Sequence, residues 1–384
     1  MPMGREDITE GMFRHLLTRV SEDRLLIVLL VALAPLWWFS SESAGALHRL
    51  VDWKTVGALA GLMMLSRGLE ESGYLGRAGH WLLQRVKGER LLAVTLILFS
   101  ACLAAVITND VALFIVVPLT LSLRRVADIP LGRLVIFEAL AVNAGSALSP
   151  IGNPQNLFLW QVSGAGFLEF TLMMAPLALL LTLLLVLLVP VAFPGTRISV
   201  SDVAAESAVA HGLFRVSLML YVPFLMLTDL GYAAPAAAGL LVFFLVYRRS
   251  LLLGVDWLLL LVFALMFIDM NLLARLPIIQ DFASHLLQLP GQTLTAAVLT
   301  SQAMSNVPAA IFLASFTDHW KELAWGVSVG GFGLAIGSLA NLIALRLARQ
   351  PGLWREFHYW SIPVLLGGWL TAVGFNNSQA WLGH

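Results

Sequence analysis

Long apolar stretches alternate with short polar breaks along the chain, and apolar stretches of this length predict membrane-spanning helices. A helix needs about 20 apolar residues to span a bilayer. We predict nine crossings, at about 25–41, 52–69, 131–162, 169–194, 213–230, 232–247, 255–273, 322–347 and 358–376. Glycine and polar residues interrupt the third and eighth of these, so both are predicted to be broken helices. Two further apolar segments, 91–123 and 292–317, are each split by a polar break and predict helical hairpins.

The break in the first hairpin is Thr108-Asn109-Asp110. Facing lipid, its polar groups would stay unpaired at several kcal/mol each. We therefore expect this tip to face protein, water or an ion and to line a transport path. Arg90 precedes the first arm, and Arg124 and Arg125 follow the second. Basic residues at both ends place the two ends on one side of the membrane, which indicates a re-entrant hairpin.

Composition supports a membrane protein. The 384 residues are 59% hydrophobic and 12% charged, whereas a soluble globular chain is about 25% charged. The chain is therefore predicted to be an all-α polytopic membrane protein, with the lipid bilayer as a partner. Its formal net charge of zero gives no indication of nucleic acid binding. The single cysteine, Cys102, excludes an internal disulfide or a Cys-rich metal site and is expected to pack inside the first hairpin arm.

Basic residues set the predicted orientation. Cytoplasmic segments of inner-membrane proteins carry an excess of Lys and Arg. On the predicted crossings, all basic residues except Arg49, Lys54, Arg275 and Lys321 lie on one side. We therefore expect a bacterial-type inner membrane protein with a cytoplasmic N-terminus and a periplasmic C-terminus. The first 24 residues are charged and lack the apolar core of a signal peptide, so they predict a short surface helix.

Three sequence signals occur in the same order in two halves. Val51-Asp52-Trp53 matches Val255-Asp256-Trp257, Thr108-Asn109 matches Ser305-Asn306, and Ile151-Gly152-Asn153 matches Ile336-Gly337-Ser338. The first Val-Asp-Trp is predicted outside and the second inside, so the halves are predicted to be inverted repeats, as in many secondary transporters. The predicted division is 1–50 for the surface helix and first crossing, 51–194 for repeat 1, 195–212 for a cytoplasmic linker and 213–384 for repeat 2.

Each half thus combines a hairpin tip with a break rich in Gly and Asn. An unwound helix frees backbone carbonyls that can bind Na⁺ and exposes helix N-termini that attract anions. The alternative is that the glycines only permit close helix packing. The predicted substrate- or ion-binding residues are Thr108, Asn109, Asp110, Gly152, Asn153, Asn156, Ser305, Asn306, Gly337, Ser338 and Asn341. Apart from Na⁺ at the tips or H⁺ as a coupling ion, we expect no metal or cofactor.

These motifs resemble those of the ion transporter superfamily, which contains arsenite permeases, Na⁺/H⁺ antiporters of the NhaD type, and citrate and dicarboxylate carriers. The carriers have a Ser-Asn-Thr tip in each half and a Gly-Thr-Pro-Pro-Asn-like break. The arsenite permeases carry Thr-Asn-Asp and Gly-Ser-Leu-Ala, as in Thr108-Asn109-Asp110 and Gly337-Ser338-Leu339-Ala340. The YbiR-type inner-membrane proteins are also similar, from about Asp52 to Pro363. The resemblance implies an inverted-repeat fold and an elevator-like motion, and leaves the substrate open.

One departure from the carriers bears on the substrate. They have Thr where this chain has Asp110, and Val307 replaces Thr at the second tip. A carboxylate beside the site repels a di- or tri-anion, and none of the four motifs contains Arg or Lys. We therefore expect a cation or a neutral oxyacid as the transported species, with Asp110 a candidate proton carrier. The alternative is a citrate- or dicarboxylate-like carboxylate.

Two further acids lie within apolar segments, where an ionisable residue is a functional candidate. Glu138 is a second candidate for proton or ion coupling, and its alternative is an ion pair with Arg133 near the cytoplasmic surface. Asp269 is expected to approach the outer surface, because Asn271 and Arg275 follow it.

Sequence motifs also bear on whether the protein is an enzyme, a channel or an ATP-driven transporter. An intramembrane hydrolase is disfavoured, because no His-Glu-x-x-His or Gly-x-Ser-x-Gly occurs. A channel is disfavoured because an inverted repeat indicates alternating access. No phosphate-binding Gly-x-x-x-x-Gly-Lys occurs, so ATP-driven transport by this chain alone is not expected. The sequence leaves open a homodimer and a separate ATPase subunit.

Overall fold

The computed structural model describes residues 24–40, 43–83, 86–123, 129–196 and 209–382. Within these ranges the chain forms helices joined by short turns, and no strand is assigned. The predicted all-α architecture is therefore confirmed. The predicted N-terminal surface helix and residues 197–208 of the predicted linker lie outside the described residues.

The described residues of the first half form eight α-helices and one short 3₁₀ helix, Ala44–Leu50. The α-helices are α1 (Arg24–Ser40), α2 (Trp53–Glu71), α3 (Tyr74–Leu83), α4 (Glu89–Val106), α5 (Asn109–Ser122), α6 (Leu131–Ser146), α7 (Pro154–Ser163) and α8 (Phe167–Ala192). Helices α4 and α5 form the first predicted hairpin. Helices α6 and α7 are the two parts of the first broken helix.

In the second half, residues 209–382 form ten α-helices and a 3₁₀ turn, Ala335–Gly337. The α-helices are α9 (His211–Asp229), α10 (Ala233–Tyr247), α11 (Arg249–Leu253), α12 (Trp257–Ala274), α13 (Pro277–Leu286), α14 (Gln292–Met304), α15 (Asn306–Leu313), α16 (Trp320–Gly330), α17 (Leu339–Ala348) and α18 (Leu353–Leu382). Helices α14 and α15 form the second predicted hairpin, and α16 and α17 flank the second break.

Each predicted apolar segment coincides with a helix or a pair of helices. Among the described residues, four helices are long and apolar enough to cross a membrane on length and composition alone, namely α4, α8, α9 and α12. Helices α3 and α13 were not predicted. Each has ten residues with a strongly amphipathic pattern, and each lies directly before a hairpin. Ten residues are too few for the apolar run that marks a crossing.

The repeated Val-Asp-Trp motif forms the same local structure twice. Asp52 begins α2 and accepts a hydrogen bond from the backbone N–H of Lys54 at 3.1 Å. Asp256 begins α12 and accepts from the N–H of Leu259 at 3.4 Å. The following indole, of Trp53 or Trp257, donates to the carbonyl five residues before it, at 2.9 and 2.8 Å respectively. The motif is therefore a helix start, in which a carboxylate pairs the free backbone donors.

Helix α6 lies at the centre of the fold. All of its residues except Arg133 are buried, and it packs against α4, α5, α8, α17 and α18. Gly145 permits the contact with α4, because an added Cβ would lie 2.1 Å from the carbonyl oxygen of Ala101. Cys102, next along α4, is exposed, so its predicted packing inside the hairpin arm is wrong. The site described below is built around the last turn of α6.

Candidate functional site

The first hairpin tip contacts the first helix break directly. The backbone N–H of Asn109 donates to the carbonyl of Gly152 at 2.8 Å. From the break, the Ser149 hydroxyl donates to the carbonyl of Ala105 on α4 at 2.7 Å. Thr108 is buried at the start of α5, without a side-chain bond that caps the helix. The tip and break predicted separately from sequence therefore form one structure.

Two asparagine amides hold the first break together. Asn153 begins α7, where its side-chain oxygen accepts from the N–H of Asn156 at 2.8 Å and its amide donates to the carbonyl of Ser146 at 2.9 Å. The amide of Asn156 donates to the carbonyls of Ala147 and Ser149 at 3.0 and 3.2 Å. These carbonyls, freed where α6 ends, are thus paired within the protein.

The second tip meets the second break in a similar way. The Ser305 hydroxyl lies 3.5 Å from the carbonyl of Gly337, the residue that corresponds to Gly152. Ser305 has a φ of +74°, a conformation that is strained for a residue other than glycine. The amide of Asn341 donates to the carbonyl of Gly331 at 2.9 Å. The amide nitrogen of Asn306 lies beside the same glycine, 3.2 Å from where a Cβ would be.

Asn143, on the last turn of α6, joins the two clusters. Its amide donates to the side-chain oxygen of Asn341 at 2.7 Å and to the carbonyl of Gly331 at 3.2 Å. Its side-chain oxygen accepts from the Ser338 hydroxyl at 3.0 Å. One turn later, Ser146 belongs to the first cluster and donates to the carbonyl of Asn143 at 3.2 Å. A helix of the first half therefore contributes to the break of the second half.

Sequence reasoning missed Asn143, although an amide one turn before a break in an apolar helix is a usable signal. It also missed the side chains that pair the backbone of the second break. Gln302 on α14 donates to the carbonyls of Gly330 and Phe332 at 2.7 and 3.0 Å and accepts from the N–H of Leu334 at 2.8 Å. Ser361 on α18 accepts from Gly333, and His358 accepts from Ala335.

The predicted site residues include one carboxylate, that of Asp110, and no basic side chain. Asp110 lies in the first turn of α5, half-buried, with its N–H bonded to the Asn109 side chain at 3.0 Å. The Asp256 carboxylate is close enough to interact electrostatically with Asp110. Within the described ranges, none of the predicted site residues is hydrogen-bonded or ion-paired to an Arg or Lys side chain. This electrostatic character favours a cationic or uncharged ligand over an anionic one.

The two acids outside the tips are both fully buried. Glu138 accepts a hydrogen bond from the hydroxyl of Thr120 on α5. Arg133 instead pairs with Glu356 at 2.6 Å, so the alternative Arg133–Glu138 ion pair is wrong. Asp269 does not reach the surface as expected. Both of its carboxylate oxygens are buried and without a hydrogen-bond partner among the described residues.

Comparisons with known proteins match one family model and several membrane proteins. The family model for citrate transporters, CitMHS, matches residues 16–345. The chain is 44% identical to the inner membrane protein YbiR of Escherichia coli K12 over 360 residues, which cover 92% of this chain and 95% of that protein. It is 34% identical to an uncharacterized transporter of Methanocaldococcus jannaschii, over 78% of this chain and 82% of the other. A shorter match, 28% identical over 121 residues, or 32% of this chain and 22% of the other, is to the putative transporter arsB of Dictyostelium discoideum.

Proposed function

We propose that this chain, which belongs to the citrate transporter family CitMHS, is a secondary active transporter of a small ion or oxyacid. Membership of this family makes it a membrane transporter rather than an enzyme. Its relatives include an inner membrane protein. We propose that transport is coupled to H⁺ or Na⁺ and occurs by alternating access of the elevator type. The N-terminus is cytoplasmic and the C-terminus periplasmic in this proposal.

The observation that carries the proposal is the junction of the two tip-and-break clusters at Asn143. Transporters built from inverted repeats bind substrate near the bilayer midplane, between the broken helices of the two halves. In this chain Asn143 of the first half is bonded to Asn341 and Ser338 of the second. The paired Val-Asp-Trp helix starts and the two hairpins give the halves the same order of elements. These features support two inverted repeats around one site.

The negative charge near the first hairpin tip favours some substrates over others. Asp110 lies at the first tip, with Asp256 within electrostatic range. At an effective dielectric constant of about 20, an ionised aspartate repels one negative charge of a substrate about 6 Å away by roughly 3 kcal/mol. We therefore propose a cation, or a neutral oxyacid exchanged for a cation, as the transported species. The second candidate is a carboxylate, which the family description favours.

A substrate screen tests the proposal. Inside-out membrane vesicles containing the protein are compared with vesicles lacking it, with arsenite, Na⁺ and several carboxylates offered side by side. We expect saturable uptake of one of the first two that follows an imposed H⁺ or Na⁺ gradient. Saturable, protein-dependent uptake of citrate or a dicarboxylate alone would establish the second candidate. The proposal is contradicted if all these solutes enter independently of the gradient, or if the protein transports none of them.

A further inference from the structure

The turn that joins α17 to α18 carries a set of exposed basic side chains. Arg346 lies in the last turn of α17, Arg349 directly follows that helix, and Arg355 lies in the first turn of α18. All three side chains are exposed. Within the described part of the chain, none of them forms an ion pair or a side-chain hydrogen bond. Three positive charges therefore lie at the surface without a counter-charge from the described residues.

The one acid near this turn is already paired. Glu356 is the only acidic residue between positions 339 and 360, and it bonds Arg133 at the start of α6 at 2.6 Å. Arg133 also lies over the ring of Trp360, 5.6 Å from its centroid. Gly132 packs against the turn itself, because an added Cβ would lie 2.4 Å from the side-chain oxygen of Gln350. Helix α6 thus fixes the turn in place and holds its carboxylate away from the three arginines.

Helix stability does not account for these arginines. A basic residue at a helix C-terminus interacts favourably with the helix dipole, which explains Arg346. Arg355 lies instead at the start of a helix, where the dipole disfavours a cation. Arg349 has a φ of +47°, in a position after a helix where glycine is the usual residue. The positions of Arg349 and Arg355 therefore favour a role for their charge in binding something outside the protein.

Aromatic side chains place the same turn at the membrane surface. Trp354 is 50% exposed and Tyr359 is 69% exposed, and both residue types are enriched at the level of the lipid headgroups. The turn also lies between two predicted crossings, 322–347 and 358–376. Arginine binds phosphate through charge-assisted, often bidentate, hydrogen bonds. The phosphate of a lipid headgroup is the anion that lies at this depth.

We propose that the α17–α18 turn binds the headgroup of an anionic phospholipid through Arg346, Arg349 and Arg355. The proposal goes beyond the transport function and does not depend on which solute is transported. Helix α17 connects this surface to the candidate site, because Asn341 lies in its first turn and its ten residues span about 15 Å. A bound lipid therefore holds the far end of the helix that follows the second break.

Thermal unfolding of the purified full-length protein in a neutral detergent tests the proposal, because a ligand that binds the folded state raises the Tm. Phosphatidylglycerol, phosphatidylcholine with the same acyl chains, and inorganic phosphate are added separately at constant ionic strength. We expect only phosphatidylglycerol to raise the Tm, by several degrees. The triple variant Arg346→Gln, Arg349→Gln, Arg355→Gln should lose this shift. Each basic residue near anionic lipid contributes about fivefold in affinity, so three contribute roughly a hundredfold.

Arg349→Gly separates lipid binding from stability. Glycine adopts a positive φ without strain, so the Tm without lipid should equal or exceed that of the parent, whereas the phosphatidylglycerol shift should be smaller. The matched control replaces by glutamine three exposed arginines on α3, α9 and α11, on the same predicted side of the membrane and without an ion pair among the described residues. These are Arg77, Arg215 and Arg249. This control should keep the full shift.

Three results overturn the proposal. Phosphatidylcholine that raises the Tm as much as phosphatidylglycerol shows that the headgroup charge is not recognised. A control variant that loses the shift as fully as the α17–α18 variant shows that any basic residues on this side suffice. A shift reproduced by inorganic phosphate identifies a site for a soluble anion and not for a lipid.

Discussion

Asn143→Ala is the substitution with the most direct structural consequence. It removes the only described hydrogen-bond partners of the Asn341 side-chain oxygen and of the Ser338 hydroxyl, whereas the carbonyl of Gly331 keeps its bond from Asn341. Each buried polar group left unpaired costs about 1–3 kcal/mol. Two such groups give a loss of about 2–6 kcal/mol, before any relaxation of the break. We expect a lower Tm and loss of transport.

The assay is thermal unfolding of the purified protein in detergent, followed by uptake in vesicles. Asn271→Ala is the control, because it also removes an asparagine side-chain amide, from α12. The Asn271 amide bonds the carbonyl of Phe267 in its own helix at 2.8 Å and that of Leu50 at 3.3 Å. This variant should unfold close to the parent temperature and transport normally. If Asn143→Ala is as mild as Asn271→Ala, the junction of the two halves does not hold the site together.

Three further predictions test the site, the coupling and the topology. Asn109→Ala and Asn306→Ala should each abolish uptake without reducing the amount of inserted protein, because each removes an amide at a hairpin tip; normal uptake by both would make the tips structural. Asp110→Asn keeps the size and hydrogen bonding but removes the titratable charge, so gradient-driven accumulation and the pH dependence of uptake should be lost; an unchanged pH profile would reopen the case for a carboxylate substrate. A reporter fused after His384 should be periplasmic and one inserted at Ser201 cytoplasmic, whereas a cytoplasmic His384 rules out the nine-crossing topology.

Much of the helical framework could be predicted from sequence, because long apolar runs and polar breaks leave few alternatives in a membrane. The tip at Asn109 and the break at Gly152 were each predicted from local pattern. Their contact is a long-range feature, and the order of repeated motifs was the only sequence signal for it. Helices α3 and α13 were missed because their amphipathic pattern is short and resembles a loop between crossings.

The contribution of Asn143 could not be predicted by the same reasoning. The repeat match pairs it with Ser328, so it lacks the symmetry that identified Asn156 and Asn341. Its partners lie 188 to 198 residues away, in the other half. Which side chains pair the freed carbonyls of a break depends on packing between helices. A lone amide or, as with Gln302, a long polar side chain in an apolar helix marks where such a contact forms.

Flux in proteoliposomes that contain only this protein tests the central claim most directly. The measured quantity is the rate of substrate entry against external concentration, with and without an imposed H⁺ or Na⁺ gradient. The account predicts entry that saturates, that accumulates substrate above the external concentration when the gradient is present, and that is absent in Asn109→Ala. Entry that rises linearly with concentration and never exceeds equilibrium would contradict it and identify a channel.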